Sequence, residues 1–188
     1  MSTRGFITFV IDGQEKTAYN HSDSYPDYLG VQVLKWLRGA DIPAVTEEAR
    51  ALRVAPADST PTAEDVQRLL KYANLGVGEQ SPEDWYCLLR ETQGEPGAML
   101  DAGVIEDASD FPTDSLFAEW GYVIDFDAQV FEVHRGFQHS RPAAGRFADR
   151  AGSTEGYYPV GLLASYPFAG LPDENAIRAL EREDDECE

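Results

Sequence analysis

The sequence predicts an α+β fold in a single domain. An antiparallel sheet of about five strands, two N-terminal and three C-terminal, carries a helical acidic middle segment packed on it. Three observations point there. Strand-like runs gather at the two ends of the chain and helix-like runs between them, without the strand–helix alternation of a parallel sheet. Asp12-Gly13 joins two β-branched and aromatic runs, a strong hairpin signal because the turn needs two residues tolerant of positive φ. At 188 residues with 43% apolar content, the chain is long enough for one well-formed core.

The elements follow in order. Phe6–Ile11 (FITFVI) reads as the first strand and Lys16–Asn20 as the second, with Thr17 and Tyr19 on one face; the longer connection DGQE would instead give a bulged loop. A polar loop over 20–30 follows. Val33, Leu34 and Leu37 then recur at helical spacing up to Gly39, a plausible stop. Thr46 is placed to cap EEARALRV, and AEDVQRLLKYA carries an apolar stripe of Val66, Leu69, Leu70 and Ala73. Ser81-Pro82-Glu83-Asp84 has the order of a helix start: cap, proline, then acids against the dipole. Residues 99–105 form a short helix candidate, and Thr113 or Asp114 can cap LFAEW.

Strands return at Gly121–Phe126 and Val130–His134, a second hairpin across Asp127-Ala128-Gln129. Residues 136–156 read as a long irregular loop, Tyr158–Phe168 as the fifth strand, and ENAIRALERE as a last helix opened by Asp173. Residues 1–180 form the domain and 181–188 an acidic C-terminal tail.

Net charge is −19. Residues 41–120 hold seventeen acids against five bases and residues 171–188 eight against two, so the excess is confined to the middle and the tail. Such a surface repels a phosphate backbone, which argues against direct nucleic-acid binding. It fits either a solvated helix face or a dock for a basic protein partner. No run is apolar enough to span a bilayer, and the N-terminus lacks a secretory h-region. Cys87 and Cys187 are too few for a disulfide framework. The expectation is an acidic, cytoplasmic protein with no cofactor and no membrane contact.

Two clusters are candidates for chemistry. His21, Asp23 and Tyr25 lie close together with Asp27, and alternate residues of extended backbone share a face. They would supply an acid/base pair, with Tyr25 or His21 transferring the proton and Asp23 orienting. An ordinary reading stands beside it: an Asx turn at Asp23, and Tyr25 packed ahead of Pro26. Without an HxH, HExxH or paired CxxC pattern, no metal is expected. The second cluster is Arg135, His139 and Arg141, with Arg146 and Arg150 beyond. Arginine forks suit phosphate or carboxylate, but these residues can equally pair with the protein's own acids. Arg4, ahead of the first strand, would join the anion clamp or pair structurally.

The segments RGF…DGQEKTAYNHSDSYPDYLG, WGYVIDFDAQVFEVHRG and GYYPVGLLASYPFAGLP resemble an uncharacterised family of actinobacterial, phage and fungal proteins. Its members open with RG…DG…Y…D-x-YP…G. The resemblance covers both ends of the chain and the middle only loosely. It implies no activity, and a phage-related setting. Many members have Gln-Trp at the positions of His21-Ser22, which leaves Asp23, Tyr25 and Pro26 as the shared core.

Two functions compete. The first is a non-enzymatic binding or interaction protein. The second is a small-molecule enzyme or binder holding an anionic phosphate or nucleotide ligand between loops 20–30 and 135–150. The first is preferred, because no nucleophile–base–orienter set is visible.

Overall fold

The computed structural model describes residues 3–182. The chain begins with β1 (Gly5–Ile11) and β2 (Gln14–Asn20), joined by Asp12 and Gly13 at φ 52° and 72°. Ile11 pairs directly with Gln14, so the turn has two residues and the bulged alternative is not used. The later strands are β5 (Trp120–Asp125), β6 (Val130–Arg135) and β7 (Gly161–Pro167). The sheet order is β2-β1-β5-β6-β7.

This is the expected α+β arrangement with one difference. β1 and β5 pair in parallel, from Gly5 opposite Trp120 to Val10 opposite Asp125, while the other three pairings are antiparallel. The middle segment forms the crossover between them, and such a connection returns the chain to the same end of the sheet.

One face of the sheet, with Ile7, Phe9, Tyr122, Ile124 and Phe131, is buried under helices. These are α1 (Val31–Gly39), α2 (Ile42–Ala51), α5 (Pro96–Ala102) and α6 (Glu174–Arg182). Val33, Leu34 and Leu37 of α1 all face this core, and Gly39 is the last helical residue. The other face presents Phe6, Val10 and Val123, and the loop over 136–160 roofs it with Phe147 and Val160. That long loop therefore has a packing role.

Several helix boundaries in the middle differ from expectation. α2 starts at Ile42 with Asp41 as its cap, while Thr46 sits inside it and donates from its hydroxyl to the Ile42 carbonyl at 2.6 Å. Proline at the second helical position favours the earlier start. The run EEARALRV then leaves the helix: Arg53–Ala55 form β3, paired in parallel with β4 (Val104–Glu106) in a small second sheet. The helix expected over 99–105 is α5, which stops where Gly103 turns left-handed at φ 66° and frees Val104 and Ile105 to extend.

Thr62 caps α3 (Ala63–Leu69) in a reciprocal box with Asp65, and α4 (Trp85–Leu88) begins at its cap Asp84 rather than at Ser81. LFAEW makes turns around Asp114, whose carbonyl accepts from Phe117 and Ala118. Of the proposed tail, residues 181 and 182 close α6, and 183–188 lie outside the described residues. No helix among the described residues is long and apolar enough to cross a membrane.

Candidate functional site

Loop 20–30 leaves the end of β2 and folds back over the start of β1. Ser24 donates its backbone N–H to the Thr3 carbonyl at 3.2 Å and accepts at its own carbonyl from the Tyr122 hydroxyl at 2.9 Å. Asn20 Nδ2 closes the loop onto Ser22 O at 2.6 Å and Ser24 Oγ at 2.8 Å. Asp23 takes φ 55° to make that reversal, a conformation that Asp tolerates better than most residues. Tyr25 precedes one π-helical turn, Pro26–Gly30, and its carbonyl accepts from Tyr28 and Gly30. Gly30 is required by packing: a Cβ there would stand 2.9 Å from Ile177 Cγ2 and 3.0 Å from Tyr122 Cε1.

The three candidates on this loop make different contacts. Asp23 is exposed and lines a polar cleft of about 220 Å³ together with Asn20, Gln32, Asn74 and Arg90. His21 stands at the side of that cleft. Its N–H donates to Gln93 Oε1 at 3.2 Å, and its Nδ1 lies 3.3 Å from the Tyr19 hydroxyl. Burial, then the positive fields of Arg90 and Arg4, push the His21 pKa down, so the ring is neutral at pH 7. Tyr25 serves the turn through its backbone.

The arginine group lies elsewhere. Asn20, Gly5, Trp120 and Arg135 form one row across β2, β1, β5 and β6, so the two loop ends share one end of the sheet. They stand three strand spacings apart, roughly 14 Å. Arg135 lies over the Trp120 ring at 4.6 Å, Arg141 over Tyr158 at 6.0 Å, and His139 against Tyr157 at 4.6 Å. Arg4 covers Phe117 at 5.3 Å, and its N–H donates to Glu119 Oε1 at 3.2 Å.

Arg146 reaches under the roof to Asp125 at 2.6 Å and to Glu132 at 2.8 Å. Arg150 pairs with Glu15 at 2.6 Å. His134, fully buried, is hydrogen-bonded through Nε2 to Glu132 Oε2 at 2.9 Å. Burial drives its pKa down against the pull of that carboxylate. The arginines of this region thus serve internal contacts.

A second cleft, about 450 Å³, opens on the far side of Tyr19. Tyr19 and Phe111 wall it with rings 5.0 Å apart at 85°. Asp107, Asp110 and Asp114 surround it, and Glu106 lies where it meets the apolar residues Trp85, Leu89 and Ile105. The Glu106 carboxyl makes no hydrogen bond or ion pair among the described residues. Burial, reinforced by the nearby charge of Asp84, pushes its pKa up to about 7. Burial also raises the Tyr19 phenol, which remains protonated at neutral pH.

Glu106, Tyr19, Phe111 and Arg90 were not singled out by sequence. Their chemistry comes from juxtaposition across the fold, and only the aromatic character of the second strand hinted at Tyr19. No group of three or more His, Cys, Asp or Glu side chains among the described residues is arranged to hold a metal ion. No family model, curated protein or solved structure matches the chain.

Proposed function

We propose that this chain is a cytoplasmic, non-enzymatic binding protein that docks a basic segment of a protein partner. It seats one lysine or arginine side chain between Tyr19, Phe111 and Glu106. The observation that carries this reading is the Glu106 carboxyl, drawn out of water at the inner end of an aromatic-walled cleft with no cation beside it. A cationic side chain supplies the missing countercharge, and its stem packs on the two rings. Cation–π contact is worth about 0.5–2 kcal/mol depending on desolvation. The charge of −19 adds long-range attraction for a basic partner. A reducing compartment suits the buried free thiol of Cys87, which donates to the Asn74 carbonyl at 3.0 Å.

An anionic ligand between loops 20–30 and 135–150 has less behind it, since Arg146 and Arg150 are paired with carboxylates and Arg135 and Arg141 are stacked on rings.

Calorimetric titration with lysine-rich and arginine-rich peptides, and with n-butylammonium as the minimal cation, tests the proposal. Binding is expected to weaken with salt and to fall at least about tenfold in Glu106→Gln. Because the ionised carboxylate is the binding form, affinity rises with pH through about 7. It should be about tenfold weaker at pH 6 than at pH 8, with a proton released on binding. Peptide binding that ignores both Glu106→Gln and Phe111→Ala would overturn this site.

A further inference from the structure

The cleft beside loop 20–30 is left unused by that proposal, and His21 stands between the two. Its lining mixes hydrogen-bonding types in a particular way. Side-chain amides come from Asn20, Gln32 and Asn74, carboxylates from Asp23, Glu91 and Glu95, and one guanidinium from Arg90. With three acids against one base the cleft is net negative, which disfavours phosphate or carboxylate ligands. Its carboxylates are not among any group of three or more described His, Cys, Asp or Glu side chains arranged to hold a metal ion. A ligand made of hydroxyl groups would use all three kinds of group, because each hydroxyl both donates and accepts.

The lining is held ready. Gln32 Nε2 donates to the Gly94 carbonyl at 3.3 Å and also bonds Glu95, while Asn74 Nδ2 donates to Glu91 Oε1 at 3.1 Å. Arg90 is fixed by Gln93 and by the Tyr86 ring beneath its guanidinium at 5.5 Å. These bonds, with those of Asn20 to Ser22 and Ser24, use the N–H groups of Asn20 Nδ2 and Gln32 Nε2, so what remains for a ligand is mainly acceptors, the carboxylates and amide oxygens, together with the Arg90 guanidinium. The Asp23 carboxylate has no partner among the described residues. At the rim, Tyr28 is 60% exposed and offers an aromatic face. The volume of about 220 Å³ lies below the range of drug-sized pockets and suits a single small ring.

We infer that this cleft binds one ring of a neutral polyhydroxylated molecule, a monosaccharide or a cyclitol. The amide, carboxylate and guanidinium groups meet its hydroxyls, and Tyr28 covers its C–H face. The inference is independent of the basic-partner reading, since it uses different side chains.

The test is a set of ¹⁵N–¹H titrations of the full chain, each with one of glucose, galactose, mannose, N-acetylglucosamine, ribose or myo-inositol, and with inorganic phosphate as the anion. At least one neutral ring should give saturable shifts in the side-chain NH₂ signals of Asn20, Gln32 or Asn74, with a Kd of about 1 mM or tighter. Asp23→Asn keeps the shape and tolerates the left-handed backbone, and should weaken that binding at least about tenfold. Tyr28→Ala should weaken it as well.

The methyl glycoside of a binding sugar identifies the source. Equal affinity supports the terminal residue of a glycan, and lost affinity supports the free sugar. The inference is overturned if none of these rings gives saturable shifts up to about 50 mM. It is equally overturned if phosphate alone binds, or if Asp23→Asn binds as the parent does.

Discussion

At Lys16 an ammonium leaves water and meets three carbonyls; at Glu106 a carboxyl leaves water and meets no donor among the described residues. Lys16 Nζ donates to Ala49, Arg50 and Leu52 at 2.9, 2.9 and 2.7 Å, closing the C-terminal end of α2, where a cation also suits the helix dipole. Glu106 has no such compensation, and the sign of its effect on stability follows. Its pKa in the folded chain is about 7, against an unfolded value near 4.5. Between those values the native state holds a proton that the unfolded state has released, so this group's contribution falls as pH rises through the window. Glu106→Gln should therefore stabilise the protein by about 1–3 kcal/mol at pH 8 and change little at pH 4. Thermal unfolding at the two pH values checks it, and equal effects at both would refute the assignment of an unpaired carboxylate.

The elements that hold loop 20–30 depend on close approach. A Cβ at Gly5 would run into the Trp120 carbonyl oxygen of β5 and would stand 2.6 Å from Ser24 Cβ, so both the β1–β5 pairing and the seat of the loop require glycine there. Gly5→Ala should cost about 1–3 kcal/mol in urea unfolding and unseat the loop. Tyr122→Phe, which removes only the hydroxyl that donates to Ser24, should cost about 1 kcal/mol.

The paired residues Gly5, Ser24, Gly30 and Tyr122 give physical content to the RG…YP…G pattern. The Asp12-Gly13 hairpin was legible because all its information is local. The parallel joining of β1 to β5 was not, since Gly5 and Trp120 are brought together only by the whole middle segment. β3 and β4 are three residues each and carry no period to read. The candidate site divides the same way. Asp23 stood out as a polar loop residue, whereas Glu106 and Arg90 gain meaning only where β2 meets chain 70 or more residues away, as in the His21–Gln93 bond.

Across the molecule, the roofed face of the sheet hangs on Arg146. It brings Asp125 and Glu132 together, with Glu15 at 3.9 Å, in a chain that has acid to spare. Burial works to raise the Glu132 pKa, but hydrogen bonds from His134 and Arg146 prevail and hold it at about 2. Its stabilising effect is therefore present above the unfolded carboxylate value near 4.5 and is lost as pH falls toward 2. Arg146→Met should leave the carboxylates uncompensated and cost about 3–5 kcal/mol at neutral pH. That cost should shrink as pH falls from about 4.5 toward 2, where the carboxylate protonates, so the acid limb flattens, measurable by urea denaturation across the acid range. An unchanged limb would mean that the roof is held by its aromatic contacts alone.

The parallel β1–β5 pair also sets a timetable. During synthesis, β1 emerges with β2 but must wait for Trp120 before its other edge is covered, and all seven of its residues end up buried. At ordinary ribosomal speeds that wait lasts on the order of ten seconds, with an apolar strand edge open to neighbouring chains. The segment that emerges meanwhile, residues 41–120, carries seventeen acids against five bases. Its charge surrounds the waiting hairpin with mutual repulsion, so the acidic middle guards the nascent chain until β5 arrives.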